Sequence, residues 1–350
     1  MNEKQFLDLL DNQLMKLQQN ERNDIRRDFE EYFENGRAEG KTTEEIIEAL
    51  GSIEEIAEEL MAAYDEKDFT DAISLSDAQS AVPYQHIRAD VDDVNFSIVP
   101  TDAQNAFIEV KDKENLTDAT MVIENDTLVV KARRREKTFR FLFIFVKGTF
   151  NSANVVLHLP RKQYERMTIT SGNGSIKVMN AEVRHVNIEA DNGRIVLENL
   201  IGETVRAESD NGRIVLSNVN VQNVKAKTDN GRIVIEHCTT DDMELETDNG
   251  RIEMKQVRGK IFAKSDNGRI EAELEKATHP IELKTDNGRI MLSSPGKLED
   301  VTILTNTSWG SVSIYDEKTT SYESGTKEHT IKLKTSNGRI VVADSSAVTV

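Results

Sequence analysis

The sequence has few of the residues on which several protein classes depend. It contains one cysteine, Cys238, so an intrachain disulfide and a zinc site of the CxxC type are both excluded. Its longest apolar run is FLFIFV at Phe141–Val146, far shorter than the roughly 20 residues of a membrane-spanning helix. The opening MNEKQFLDLLDNQLMKL has acidic residues where a secretory signal would be basic and then apolar. We therefore expect a cytoplasmic protein with a reduced thiol.

The net charge and the absence of known catalytic motifs exclude further classes of function. The net charge is −18, with 62 acidic against 44 basic residues, which disfavours nucleic acid because its binding depends on Lys and Arg neutralising phosphates. The sequence holds none of the GxSxG, P-loop, HExxH or dinucleotide-binding motifs, and its six histidines share no register. We expect a protein that is not an enzyme, has no cofactor or metal, and does not bind nucleic acid.

Residues 1–66 are predicted to form a bundle of four helices with an acidic surface. Thr42 with Glu45, and Ser52 with Glu55, are capping boxes that begin the two short later helices. We expect the second helix to end near Gly36. The first two helices are indicated by apolar residues three or four apart, at Phe6, Leu9, Leu10, Leu14 and Leu17, then at Ile25, Phe29, Tyr32 and Phe33. Residues 67–88 have no sustained period and are predicted to be a linker.

A repeated turn dominates the rest of the chain. The segment SDNGRIVL at Ser209–Leu216 recurs in near copies about 19 residues apart. Apolar residues alternate on both sides of the turn, which is typical of strands, and a fixed period near 20 is typical of stacked repeats. The turn glycines, including those of the divergent copies, are Gly174, Gly193, Gly212, Gly231, Gly250, Gly268, Gly288, Gly310 and Gly338.

Two folds fit this pattern. Asn-Gly between alternating apolar residues favours a hairpin, and therefore an antiparallel meander or propeller. A parallel β-helix, or solenoid, fits better, because neighbouring units match position by position and do not alternate with a doubled period. We predict a right-handed parallel β-helix over residues 89–350, with an irregular capping β-region at 89–154 and regular rungs at 155–345. A third apolar wall is indicated by Leu200, Val219, Cys238 and Val257.

The repeated turn is predicted to form a structural ladder at one corner of the coil. We expect the asparagines to stack, the glycines to supply positive φ, and each aspartate to accept a backbone N–H, with aspartate and arginine columns interleaved. Calcium or polysaccharide binding along the ladder are the alternatives; an arginine three residues after each aspartate disfavours calcium. The ladder residues are Asp191, Asn192, Gly193, Asp210, Asn211, Gly212, Asp229, Asn230, Gly231, Asp248, Asn249, Gly250, Asp266, Asn267, Gly268, Asp286, Asn287 and Gly288.

The segment KARRREKTFRFLFIFVKGTF, at Lys131–Phe150, is the second candidate surface. The β-propensity of its aromatic residues favours a buried strand or hairpin. The alternative is an exposed apolar tip beside a basic cluster, which would suit an anionic membrane surface or an apolar partner. The contact residues would then be Arg133, Arg134, Arg135, Phe141, Phe143 and Phe145.

Two parts of the chain resemble known families. Asp28–Leu60, most specifically EEYFENG and EALGSIEEIAEEL, resembles the HAAS domain, a small helical domain that opens many bacterial envelope-associated signalling proteins. Asn151–Val178, with its LHLP segment before an SGNGSI turn, resembles, together with the DNGRI units, a bacterial β-strand-repeat family of unknown function labelled as adhesins. The resemblance implies an interaction module without catalysis, in proteins that accompany cell-envelope stress genes in Gram-positive bacteria.

These observations predict a non-enzymatic intracellular scaffold in a bacterial cell-envelope stress response. A rigid solenoid would be joined to a helical docking module, and the partner would be an envelope-stress or membrane-associated protein. The alternatives are a glycan-binding or glycan-active β-helix, and a peripheral membrane-associated protein of the adhesin type.

Overall fold

A computed structural model describes residues 3–14, 19–38, 40–53, 56–57, 72–74, 82–111, 116–134, 138–141, 144–147 and 153–348. The chain divides into two compact units. One comprises residues 1–71, 112–117 and 134–153, and the other comprises residues 72–111, 118–133 and 154–350.

Helices form in the N-terminal residues because their apolar side chains recur on one face. They are α1 Glu3–Gln13, α2 Gln19–Ala38 and α3 Thr43–Leu50. Ile53, Ile56 and Ala57, which belong to the predicted fourth helix, are helical and lie in the same hydrophobic core as α1, α2 and α3. The rest of the fourth helix lies outside the described residues, as does Leu17, which was predicted for the first helix. None of the described helices is long and apolar enough to cross a membrane. The core consists of Phe6, Leu7, Leu10, Leu14, Ile25, Phe29, Phe33, Ile46, Leu50, Ile53, Ile56 and Ala57.

Two details of the helices differ from the prediction. Leu9 is 50% exposed and Leu7 is buried, so the buried face of α1 lies nearer to Leu7 than predicted, while Phe6, Leu10 and Leu14 stay in the core. Helix α2 continues past Gly36 to Ala38. Gly36 is a packing position, because a Cβ there would lie 2.7 Å from Cδ1 of Ile46 on α3.

The predicted capping box at the start of α3 is confirmed. The Glu45 N–H donates to Oγ1 of Thr42 at 3.3 Å, and the Thr42 N–H donates to Oε2 of Glu45 at 2.8 Å. These reciprocal hydrogen bonds satisfy two backbone donors at the helix start. The backbone N–H and the hydroxyl of Thr42 both donate to the Glu45 carboxylate, and they lower its pKa because they stabilise its charged form.

The remaining described elements are strands, followed by a 3₁₀ helix at Ser345–Val348. Two of these strands, β7 Thr138–Phe141 and β8 Ile144–Lys147, form a separate antiparallel hairpin. The strands are β1 Ala72–Ser74, β2 His86–Asp92, β3 Val94–Thr101, β4 Phe107–Lys111, β5 Leu116–Glu124, β6 Thr127–Arg134, β7 Thr138–Phe141, β8 Ile144–Lys147, β9 Ala153–Pro160, β10 Gln163–Ser171, β11 Ile176–Ala190, β12 Ile195–Ile201, β13 Thr204–Ser209, β14 Ile214–Asn220, β15 Asn223–Thr228, β16 Ile233–Glu236, β17 Thr239–Thr247, β18 Ile252–Lys255, β19 Arg258–Ser265, β20 Ile270–Glu273, β21 Ile281–Thr285, β22 Ile290–Ser294, β23 Val301–Ile314, β24 Ser321–Glu323 and β25 His329–Asp344.

Successive rungs stack in parallel, and each residue lies beside its equivalent in the next rung. On the strands that follow the repeated turn, Ile195 pairs with Ile214, Ile214 with Ile233, and Ile233 with Ile252. A hairpin meander or a propeller would pair these strands antiparallel. The parallel solenoid is therefore confirmed, while its right-handedness stays a prediction.

Each rung encloses a core with three apolar walls. In the rung that begins at β13, Ala207 faces inward from the first wall, Ile214 and Leu216 from the second, and Val219 from the third, each at most 1% exposed. Full burial of one Leu or Ile side chain contributes about 1.5–3 kcal/mol. Because every rung repeats this set, the core runs continuously along the coil.

The rungs at both ends are stacked out of chain order. Strand β25 lies directly on β21 and β22, and β23 pairs with the other side of β25, so that Gly310 lies beside Gly338. At the other end, β2 lies between β10 and β6. The inversion at the C-terminal end arises because the chain reverses after β23, where Ile314 and Glu317 form a tight bridge, and returns along it as β24.

The N-terminal end of the coil is covered by antiparallel strands. Strand β4 pairs with β9, and β1 pairs with β4. β1 lies within the predicted linker 67–88. Strands β2, β3 and β6, in the predicted capping region, stack in register with other rungs, so coil geometry already begins there.

The turn glycines serve close stacking, and the prediction that they supply positive φ was wrong for the ladder. Of the turn glycines, only Gly174 has a positive φ, 102°. At Gly212, Gly231 and Gly250, an added Cβ would lie 1.6–1.8 Å from the carbonyl oxygen of the turn glycine in the preceding rung. No side chain fits in that space.

We predict that Gly231→Ala destabilises the coil strongly. Its Cβ would overlap the Gly212 carbonyl oxygen, and two stacked backbones would have to separate, at a cost of about 3 kcal/mol or more. Urea unfolding of the full chain measures this cost. Lys227→Ala, at an exposed position of the same rung, is the control and should leave the midpoint unchanged. Equal midpoints for the two variants would contradict the stacking role.

A second prediction concerns the pH dependence of α3. The folded-state pKa of Glu45 is lowered, so its stabilisation is present above the unfolded pKa and is lost as pH falls through the folded pKa. In hydrogen-exchange mass spectrometry with both proteins measured at the same pH, wild-type protection of Thr43–Leu50 should exceed that of Glu45→Gln at pH about 7, and this difference should shrink as the pH falls through the folded-state pKa. A difference that stays constant with pH would refute this.

Candidate interaction surfaces

The predicted asparagines lie in one continuous column at the ladder corner. Asn211 donates an amide N–H to Oδ1 of Asn192 at 2.8 Å, and Asn230 donates to Asn211 at the same distance. The column begins at Asn173 and reaches Asn337, which donates to Asn287 at 2.9 Å. These side chains are exposed, so the ladder forms an ordered row of amides on the surface.

A column of buried hydroxyl residues organises each turn from the inside. The Thr228 hydroxyl accepts the Gly231 N–H at 3.0 Å and donates to the Gly212 carbonyl oxygen in the preceding rung at 3.1 Å. Each hydroxyl of this column joins its turn to the turn of the rung on which it stacks, and those of Ser209, Thr228 and Thr247 also close their own turn. The column comprises Ser209, Thr228, Thr247, Ser265, Thr285 and Thr335.

Among the described residues, no ladder aspartate forms an ion pair with a ladder arginine, so the two columns are not paired as predicted. No described ladder aspartate accepts a backbone N–H through its side chain; in three turns the Ser or Thr before the aspartate accepts the glycine N–H instead. Three of the ladder arginines pair with glutamates, as Arg251 does with Glu253 at 2.9 Å. Among the described ladder aspartates, the one in an ion pair is Asp266, with Lys264 at 2.9 Å.

A second corner was missed by the sequence analysis. Five residues spaced by 19 have left-handed backbones, with φ between 51° and 54°: Asn180, Asn199, Asn218, His237 and Gln256. Asn199 also donates to Asn180 at 2.8 Å. Asparagine tolerates this conformation better than most residues, so three asparagines at one repeat position were the signal that could have revealed the corner.

The outer face of the first wall carries a groove of about 700 Å³ across β13, β15, β17 and β19. We call this face the charged wall. Lys225 pairs with Glu244 at 2.8 Å, and Lys260 pairs with Asp242 at 2.8 Å, each across neighbouring rungs. The hydrogen bond that Lys225 donates to the Glu244 carboxylate raises the pKa of Lys225. The groove is lined by side chains that include Arg206, Lys225, Asp242, Glu244, Lys260 and Phe262.

The structure describes only part of the second candidate surface. Arg133 is exposed and lies 3.6 Å from Asp90, and Arg134 is partly buried. Phe141 and Phe145 lie in the β7–β8 hairpin, so the backbone of this segment agrees with the predicted hairpin. Their side chains, and the residues Arg135 and Phe143, lie outside the described part, so the choice between a buried hairpin and an exposed tip stays a prediction.

Two ionisable groups of the coil have structural roles. Burial raises the pKa of the Cys238 thiol to about 11, so the thiol stays protonated within the third wall. Lys162 is exposed, but it lies 4.2 Å from the ring centre of Tyr84 and donates to the Tyr84 carbonyl oxygen at 2.6 Å. Partial loss of solvent around the ammonium lowers the pKa of Lys162. In the described part of the chain, no group of three or more His, Cys, Asp or Glu side chains could hold a metal ion.

Comparisons with known proteins identify both parts of the chain. A family model described as Toastrack DUF4097 matches residues 84–343. A second model, described as HAAS, matches residues 5–59. No curated protein matches the chain.

Several solved structures are similar to the chain at low sequence identity. A "putative adhesin" from Bacteroides fragilis NCTC 9343 is 12% identical, covers 80% of this chain and 98% of its own, and has a TM-score of 0.41. A "putative adhesin" from Parabacteroides merdae ATCC 43184 is 12% identical, with coverage of 77% and 94% and a TM-score of 0.36. A "putative cell adhesion protein" from Clostridium sporogenes ATCC 15579 is 8% identical, with coverage of 78% and 97% and a TM-score of 0.22.

We predict that Thr228→Val destabilises the coil by about 1–3 kcal/mol. The two side chains have similar shapes, but valine leaves the buried Gly231 N–H and Gly212 carbonyl without their hydroxyl partner. Thr228→Ser is the control and should stay near wild type, because serine fills the same position at Ser209 and Ser265. Both are measured by denaturant unfolding; a valine variant as stable as the serine variant would argue against the hydroxyl column.

Proposed function

Because the chain belongs to the Toastrack DUF4097 family and begins with a HAAS domain, we propose that it is a non-enzymatic scaffold in a bacterial cell-envelope stress response. In this proposal it works inside the cell, close to the membrane. The solenoid binds one protein partner through the charged wall, and the helical domain binds another. The support for the envelope setting is the HAAS match, since that domain opens many envelope-associated signalling proteins.

The charged wall is the observation that carries the scaffold proposal. Its side chains are held on strands whose backbones are fixed by pairing on both sides, so the pattern of charge is preorganised. Lys225 and Glu244 hold each other in place across rungs, and Phe262 offers an apolar contact between charged groups. A groove of about 700 Å³ with charges of both signs and one aromatic ring suits a protein surface of mixed charge.

The test is site-specific photo-crosslinking in a bacterium that carries this protein and is treated with a cell-wall antibiotic. A benzophenone side chain replaces Phe262 on the charged wall or, as a control, Val215 on the outer face of the second wall. We expect a protein adduct from position 262 only, containing a component of the envelope-stress system. Fractionation of the same cells should place the adduct in the cytosol or on the inner side of the membrane.

Charge exchange makes the test specific. In the double variant Lys225→Glu with Glu244→Lys, the two side chains of the ion pair change places. The ion pair is kept, but the pattern of charge that the partner protein meets is reversed, so the adduct should be lost. The matched control is the same exchange at Lys255 and Glu273, 3.7 Å apart on the second wall, which should leave it unchanged. No adduct, or an adduct that survives the first exchange, would overturn the proposal; retention of cell-wall oligosaccharides by this groove would favour the glycan alternative.

A further inference from the structure

The outermost strand at the C-terminal end of the coil, β23, has an edge that is only partly covered. Strand β24 pairs with Thr302–Leu304, and the Thr305 N–H donates to the Thr320 carbonyl oxygen at 3.0 Å. Beyond that point Ile314 bridges to Glu317. Between them, no described residue pairs with the outer side of residues 306–313, whereas antiparallel strands cover the N-terminal end.

This edge also lacks the charges that normally protect an exposed strand. Edge strands are usually guarded by charged side chains, because unpaired N–H and C=O groups attract another strand. The sequence of β23, VTILTNTSWGSVSI, has no charged residue, although 30% of the chain is charged. The neighbouring β25 presents Lys332, Lys334 and Arg339.

Apolar side chains are exposed on the same strand. Leu304 is 44% exposed and Trp309 is 80% exposed. Trp309 lies beside Asn337, the last asparagine of the ladder, at the position where each preceding rung has an asparagine. The tryptophan therefore ends the row of amides and places an apolar ring at the end of the coil.

We propose that the uncovered edge of β23 is a dimer interface, occupied by the same edge of a second copy of this chain. Two copies of one strand pair antiparallel about a two-fold axis, which gives a closed, self-complementary interface. The absence of charge favours a second copy in particular, because two chains of net charge −18 repel each other less where the meeting surface is neutral.

Symmetry also limits the register. In an antiparallel pair related by a two-fold axis, one residue lies opposite its own copy, because the axis must map each residue pair onto a pair of the same kind. The middle of residues 306–313 falls at Trp309 and Gly310. We place the axis at Trp309, so that the two exposed indole rings face each other and Ser308 lies opposite Gly310 of the second copy. This inference does not depend on partner binding by the charged wall.

Sedimentation velocity of the full chain over a range of concentrations tests the interface. We expect a concentration-dependent dimer in the wild type. Trp309→Asn combined with Ser311→Arg gives the outer rung the residues that Asn337 and Arg339 have in the rung beneath it, so folding is retained while a charge enters the edge. The dissociation constant of this double variant should rise at least tenfold. Ile201→Asn, which removes a different exposed apolar residue, should dimerise like the wild type.

Disulfide trapping tests the register. At a concentration where the wild type is dimeric, a chain carrying Trp309→Cys should form a crosslinked homodimer under mild oxidation, because the two copies of residue 309 lie opposite each other. Ile201→Cys, at another exposed apolar position, is the control and should crosslink much less. The native Cys238 is buried and does not interfere. A monomer at all concentrations, a dimer unaffected by Trp309→Asn with Ser311→Arg, or equal crosslinking of the Trp309→Cys and Ile201→Cys chains would overturn the proposal.

Discussion

The close approach of backbones at the ladder corner is the constraint on which the rest of the coil depends. Consecutive turn glycines lie so near each other that a Cβ at Gly250 would be 1.6 Å from the Gly231 carbonyl oxygen. That approach brings each buried hydroxyl within reach of both its own turn and the preceding one. It also places the asparagine amides at hydrogen-bonding distance. The repeated Ser/Thr-Asp-Asn-Gly motif is therefore one solution to one packing problem, met at each rung.

Stacking identical rungs creates an electrostatic problem on the outer faces of the walls, which the chain solves there by varying the outward residues. Identical outward residues would place like charges about 4.8 Å apart. Across neighbouring rungs the structure instead sets Lys177 beside Glu198, and Lys225 beside Glu244. Each exposed pair contributes little stability, but the alternation removes repulsion that would oppose the register. Away from the ladder corner, where the exposed Asp and Arg do repeat, the inward residues repeat closely while the outward ones differ. This difference gives each wall of the coil its own outer surface.

Features set by the repeat itself could be predicted from the sequence. The spacing of about 19 residues placed Asn211 beside Asn192 and gave Val219 and Cys238 a common wall, because stacked rungs align equivalent positions. The capping box at Thr42 and Glu45 could also be predicted, because it depends on two residues only three positions apart. The backbone conformation of the turn glycines could not be predicted. Glycine is favoured both where φ is positive and where two backbones approach closely, and the sequence does not distinguish these two cases. Thr228 was overlooked since a threonine at a strand end is ordinary until its partner in the next rung is known.

The inverted order of the last two rungs has a consequence for how the protein is made. A simple solenoid can add each rung to the preceding one as the chain leaves the ribosome. Here β23 is synthesised before β25, yet β25 is the strand that lies on β22. The end of the coil therefore cannot close until β25 has emerged, and until then the core above β22 lacks the strand that covers it. Synthesis of β25, and not the gradual growth of the coil, is the event that seals this end of the molecule.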